Sequence, residues 1–262
     1  MCSVSIFIDA GRLLLTANRD ELRTRGESGV KLENYNDLKC IYPVDTESKG
    51  TWVGANNYGV VAALLNMYEK KHPGSQSRGI IIPHILKYTS LHEVHVYLTQ
   101  SFKPEQFATF VLLVMDKGRI HRYAWDGKML NVQTSILESS PWIFETSSSV
   151  NTVKIQHHRQ KLFQQWQQQV KGADIDSEIL NFHLLRDIED TSSSVCMARE
   201  KTHTKSITQI SINSDVGEFR YLPPNQLDSA VNTSPQVDIL NTNKFNILET
   251  NSTNQQSNTI SA

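Results

Sequence analysis

Residues 2 to 21 constrain the fold more than any other stretch. Ser3-Val4-Ser5-Ile6-Phe7-Ile8 alternates small and apolar side chains, Asp9-Ala10-Gly11 supplies turn chemistry, and Arg12 to Ala17 is apolar again. An alternating run, a turn and a second apolar run specify a β-hairpin that begins at residue 2. In an antiparallel hairpin the second strand runs back toward the start of the first. The residues that arrive there are Asn18-Arg19-Asp20-Glu21, and residue 2 is a cysteine.

The rest of the chain alternates between strand-like and helix-like blocks. A polar, irregular stretch runs to about Lys49, and Thr51 to Gly54 and Tyr58 to Leu65 then flank Asn56-Asn57, which predicts a second hairpin. Apolar positions at spacings of three and four over 77–87 and 91–98 predict two short helices, the first kinked or delayed by Pro83. Phe107 to Met115, Arg119 to Trp125 and Trp142 to Ser148 are rich in β-branched and aromatic residues and read as strands. Val153 to Val170 sets Ile155, Leu162, Phe163, Trp166 and Val170 on one side and glutamines opposite, and a second helix follows over 175–185. Strands are expected again at 195–199, 206–212 and 218–222. This order suits an α+β protein in which antiparallel sheets carry helices on their outer faces, a four-layer αββα sandwich. Beyond Pro223-Pro224 the composition shifts: the last 38 residues hold eight Asn and only four charged residues. A domain over 1–222 and a polar, disordered tail over 223–262 are the expectation.

Composition excludes some functions. Lys and Arg total 26 against 27 Asp and Glu in 262 residues, so nothing advertises nucleic acid or an anionic membrane as a partner. The longest apolar run, near Phe110 to Met115, is far short of the roughly 20 residues that span a bilayer. Asp9, Arg12 and Arg19 interrupt any signal-peptide core, which makes a cytoplasmic protein the expectation. His92-Glu93-Val94-His95 lacks the spacing of a zinc helix, and His157-His158 point to different sides of theirs, so no metal site is expected.

Cys2, Cys40 and Cys196 form no metal-ligand spacing and, being odd in number, no disulfide framework. Cys40 and Cys196 read as buried thiols. Cys2 differs, because removal of Met1 would leave one residue carrying a thiol and an α-amine. Their ordinary pKa values, about 8.5 and about 7.7 to 8.0, nearly balance proton transfer from one to the other. That suits an acyl-transfer nucleophile, with Arg19 favouring the thiolate and Asp20 holding the amine.

Cys2, Asn18-Arg19-Asp20-Glu21, Gly50-Thr51-Trp52-Val53-Gly54, Leu64-Leu65-Asn66, Ser77-Arg78-Gly79, Trp125-Asp126-Gly127, Asn181-Phe182-His183 and Thr204 to Gln209 together resemble the NRDE proteins. That family includes the transport-and-Golgi-organisation proteins, and the likeness is to its bacterial branch. The resemblance spans about residues 1 to 222. It implies the N-terminal-nucleophile (Ntn) hydrolase fold and a distant relationship to bile-salt hydrolases and penicillin V acylases. It further implies a catalytic set of Cys2, Arg19, Asp20 and Asn66, with the Asn66 amide donating to an oxyanion, and substrate contacts from Asn18, Glu21, Trp52 and Arg199. Thr146-Ser147-Ser148-Ser149 stands in the region of the acylases' second asparagine.

Two functions remain open at this point. One is an N-terminal-cysteine hydrolase acting on an amide or thioester of a small acyl compound, with no cofactor. The other is a non-catalytic protein that binds or moves haem, lipid or acyl-coenzyme A, with Arg19 and Arg199 gripping carboxylates or phosphates.

Overall fold

A computed structural model describes residues 2–134, 140–170, 174–231 and 240–248. The hairpin forms as its alternation dictates: β1 (Cys2–Asp9) and β2 (Arg12–Leu22) pair antiparallel around Ala10 and Gly11, both at positive φ. Neighbouring strands then sort into two sheets. β3 (Glu27–Tyr35), β4 (Leu38–Asp45), β5 (Val53–Asn56), β6 (Val61–Asn66), β7 (Phe110–Met115), β8 (Ile120–Trp125) and β9 (Leu130–Thr134) follow one another in sequence order in one sheet. The other has the order β10-β1-β2-β11-β12-β13, with β10 (Trp142–Thr146), β11 (Thr202–Ile212), β12 (Val216–Leu222) and β13 (Asn241–Asn246). All of these pairs are antiparallel.

The helices complete four layers. Val4, Ile6, Leu13, Leu15 and Ala17 meet Val53, Ala63, Leu65 and Leu113 between the sheets. The outer face of the seven-stranded sheet packs Leu64, Leu112 and Tyr123 against α1 (Ile81–Ile85) and α2 (Leu91–Gln100). On the other outer face Phe7, Leu14 and Phe144 meet α3 (Thr152–Gln169) and α4 (Ile175–His183) through Phe163, Ile179 and Phe182. Burial on both faces explains why β1 and β2 are covered almost end to end. The α+β, four-layer αββα arrangement of antiparallel sheets is therefore the fold. No helix among the described residues is long and apolar enough to cross a membrane.

Three local expectations change. The supposedly irregular stretch before Lys49 holds β3 and β4; β3 is a half-exposed edge strand whose Glu, Lys and Asn residues disguise its alternation. Val195 to Arg199 is no strand: Val195, Cys196 and Met197 are buried in a loop, with a single isolated bridge from Ala198 to His203. Part of the segment after Pro223, expected to lack a core, is packed. α5 (Pro224–Val231) buries Leu227 and Ala230 beside Leu240, and β13 extends the sheet beyond β12. Phe245 lies so close over Gly217 that a Cβ there would meet the ring at 2.2 Å. Residues 249–262 lie outside the described residues.

Candidate active site

Cys2 opens β1 in register with Arg19 of β2. Even positions of β1 and odd positions of β2 face the second sheet, as Val4, Ile6, Leu15 and Ala17 do. Beyond Ala17 that apolar layer gives way to a polar cavity of about 210 Å³, whose walls include Cys2, Arg19, Glu21, Trp52, Asn66 and Arg78. Both sheets contribute, so the cleft lies where they part.

The backbone of Cys2 is anchored to the segment after β10. Its N–H donates to Ser147 Oγ at 3.3 Å, and the N–H of Ser147 donates to its carbonyl at 2.9 Å. Burial pushes the Cys2 thiol pKa up. The chain's α-ammonium opposes that shift, the Asp20 carboxylate adds to it, and a backbone bond from Asp20 and the charge of Arg19 oppose it again. The net direction is upward, so the thiol needs a base to ionise.

Arg19 is fully engaged. Its guanidinium stacks 4.4 Å from the centroid of Trp52, donates to Glu27 at 3.2 Å and forms an ion pair with Asp45. Asp45 also receives Arg25 at 2.7 Å. Burial would raise Asp45, but Arg25 and Ser48 outweigh it and bring the carboxyl down to about 2. Glu21, on the cleft side, pairs with Arg25 at 3.5 Å.

Alternation sends the other two members of the tetrad to the helix side. Asn18 is fully buried there: its Nδ2 donates to the carbonyls of His183 at 2.9 Å and Val195 at 3.0 Å, and its Oδ1 meets His183 Nδ1 at 2.6 Å. Asn18, expected to contact substrate, ties β2 to α4 and is not among the cavity's lining residues. The Asp20 carboxylate accepts from Thr204 Oγ1 at 2.6 Å and faces Arg159 Nη1 at 3.5 Å, while the residue still borders the cavity. A bulge between Thr204 and Ser206 makes this possible, because it puts Thr204 beside Asp20 and Ser206 beside Arg19.

Asn66 ends β6 at the cavity wall and donates to the Tyr68 hydroxyl at 2.9 Å. Arg199 is not among the cavity's lining residues; it donates to Ser192 O at 3.0 Å and Ser148 Oγ at 3.2 Å. Cys2, Arg19, Asp20, Glu21, Trp52 and Asn66 are therefore brought together, and Asn18 and Arg199 are not. Among the described residues, no group of three or more His, Cys, Asp or Glu is placed to hold a metal.

Three residues to which sequence reasoning assigns no role in the site belong to this neighbourhood. Ser147 holds the Cys2 nitrogen. Arg159, wholly buried, donates to Ser3 Oγ and Thr146 Oγ1, both at 3.2 Å, and offsets Asp20. The signal for it is legible, since Arg159 falls four residues after Ile155 and four before Phe163 on the apolar face of α3. Arg78 lines the cavity and donates to Thr109 O at 2.7 Å. Its loop is set by close backbone contact: Thr51 N–H donates to Gly79 O at 2.9 Å, and a Cβ on Gly50 would lie 2.4 Å from the Gly79 carbonyl carbon. The Gly50 and Gly79 motifs are thus two halves of one wall.

Solved structures with the same architecture include the Caenorhabditis elegans ortholog of N-acylethanolamine-hydrolyzing acid amidase. It matches with a TM-score of 0.54 at 11% identity, over 80% of this chain and 92% of that one. A single-substitution variant of conjugated bile acid hydrolase from Clostridium perfringens matches with a TM-score of 0.51 at 11% identity, over 98% of this chain and 100% of that one. Identity this low speaks to the fold alone, and that fold is the Ntn-hydrolase fold. No curated protein matches the sequence. The family described as Transport and Golgi organisation 2 matches residues 1–257, and the chain belongs to it.

Proposed function

We propose that the protein is an N-terminal-cysteine hydrolase of small, polar acyl amides or thioesters. The observation that carries this reading is the placement of Cys2 at the head of β1, opposite Arg19, with its nitrogen on Ser147 and its cavity bordered by Asn66. Removal of Met1 would free the Cys2 nitrogen as an amine. That amine takes the thiol proton, and the thiolate adds to the substrate carbonyl. Asn66 has two amide hydrogens; the one not used on Tyr68 is left to donate to the oxyanion. The ammonium returns its proton to the departing amine or thiol, and the acyl-cysteine thioester forms. Water, deprotonated by the same amine, then releases the acid and regenerates the thiol. Asp20, paired with Arg159 and accepting from Thr204, orients the ammonium.

The cavity's size and walls favour this over carriage of haem or lipid. About 210 Å³ is below the roughly 300–1,000 Å³ typical of sites for larger organic ligands, and charged and amide side chains dominate the lining. The test combines intact mass with a panel of acyl amides and thioesters. Loss of Met1, acylation of Cys2 ahead of Cys40 and Cys196, and loss of turnover in Cys2→Ala are the expected outcomes. Turnover by Cys2→Ala would refute the mechanism.

A further inference from the structure

The cleft contains three arginines, and their surroundings differ. Arg19 is neutralised by Glu27 and Asp45 and stacked on Trp52. Arg25 is neutralised by Asp45 and Glu21. Asp20 is balanced by Arg159. Arg78 lies within the same wall, and its only side-chain hydrogen bond among the described residues is from Nη1 to the neutral carbonyl of Thr109. No carboxylate among the described residues lies within ion-pair distance of it. A guanidinium carries five N–H donors in a planar fork, so Nε and Nη2 keep an edge that no group among the described residues occupies.

Arg78 is half-buried, so its charge is partly withdrawn from water. Removal from water pushes the Arg78 pKa down, and the fields of Tyr68, Cys2 and Glu21 recover part of the loss. Its backbone is also fixed in advance: Ser77 Oγ accepts from Gly79 N–H at 3.3 Å, and Gly79 is locked against Gly50 and Thr51. A planar cation on a fixed backbone, lining one cavity with the nucleophile and with no carboxylate among the described residues within ion-pair distance, has the geometry for a bidentate grip on a planar anion.

We infer that Arg78 is the specificity-determining residue of this cleft and that the substrates carry a carboxylate, which its free edge holds. The inference rests on the hydrolase reading for the word substrate, but not for the anion site itself. A monoanionic carboxylate fits better than a phosphate dianion, because Glu21, Asp45 and Asp20 line the same cavity and repel a second negative charge. The cavity's volume restricts the acyl group to a few carbons.

The test separates the anion site from the chemistry. Binding of hexanoate and of hexanamide, an uncharged analogue of the same length, is measured by calorimetry on the wild type, Arg78→Gln and Arg78→Lys. A charge-assisted bidentate pair predicts that wild type binds hexanoate about tenfold or more tightly than hexanamide. Arg78→Gln loses that preference, and Arg78→Lys, which keeps the charge and loses the fork, retains an intermediate one. Equal affinity of the wild type for the two compounds overturns the inference whatever the variants do, as does a preference that survives in Arg78→Gln. In parallel, the phenyl thioesters of adipic acid and of its monoamide are offered to the wild type, and acylation of Cys2 is followed by mass. A lower KM for the acid supports the inference. Absence of acylation by both, with hexanoate selectivity intact, refutes the hydrolase reading alone.

Discussion

His183 offers a direct test of how the site's support is built. Its ring is fully buried, with Nδ1 against Asn18 Oδ1 at 2.6 Å and Nε2 against Ser5 Oγ. The Asn18 amide nitrogen is committed to two carbonyls, so Oδ1 accepts and Nδ1 carries the proton. Nε2 is then the acceptor for the Ser5 hydroxyl, and the ring is neutral. Burial, with a smaller contribution from the charge of Arg159, pulls its pKa down to about 3. In the unfolded chain the group titrates near 6.5. Between those values the unfolded state binds the proton and the folded state does not. The contribution is therefore complete above pH 6.5 and declines as the pH falls toward 3. Linkage gives a loss of about 2 kcal/mol between pH 7 and pH 5, and about 1.4 kcal/mol for each further unit until the folded pKa is reached. Urea unfolding of wild type and His183→Gln at both pH values isolates this residue. Other groups that titrate there, including the part-exposed His203, are common to both chains and cancel. Wild type is expected to lose about 2 kcal/mol more than the variant over that interval. Equal losses would refute the neutral, buried imidazole and with it the Ser5–His183–Asn18 bolt.

Two further substitutions probe the walls. Gly50→Ala places a Cβ 2.4 Å from the Gly79 carbonyl carbon and forces the Thr51–Gly79 bond apart, which should cost about 1–3 kcal/mol by urea unfolding and diminish acylation of Cys2. Arg159→Met leaves Asp20 buried without its cation and should cost about 3–5 kcal/mol, a large part of which Asp20→Asn in the same chain should restore. Additive losses in that double variant would mean that the pair is not coupled.

Sequence reasoning reveals the hairpin because β1 and β2, covered on both faces, read as apolar runs about a turn, and the two-residue alternation of side chains then sorts their positions between the two faces. The same rule, carried two residues further, divides the tetrad. The return strand brings Asn18 to Glu21 to the level of Cys2, but only Arg19 and Glu21 share its face, while the side chains of Asn18 and Asp20 turn toward the helices. β3 escapes such reasoning because an exposed edge strand has no buried face to imprint a pattern. Val195 to Met197 misleads for the opposite reason, since burial in a loop selects apolar residues as strongly as a ladder does. Average composition misjudges the segment after Pro223, because its docking depends on a few side chains, Leu227, Leu240 and Phe245 among them.

The arginines carry the same lesson into the site. The family resemblance points to Arg19 and Arg199 as the groups that would hold an anion. Arg19 instead ties β2 to Glu27 of β3 and Asp45 of β4, across the gap between the sheets. Its charge reaches the Cys2 sulfur, but its hydrogen-bonding edges are committed. Arg199 serves the Ser148 and Ser192 segments away from the cavity wall. In the sequence Arg78 stands out only as part of Ser77-Arg78-Gly79, yet it is the arginine in the wall whose charge no carboxylate among the described residues meets. Charge in a site is thus better judged by what neutralises each group than by a resemblance in motif. By that measure Arg19 shapes the cleft, and Arg78 is the arginine left to read what enters it.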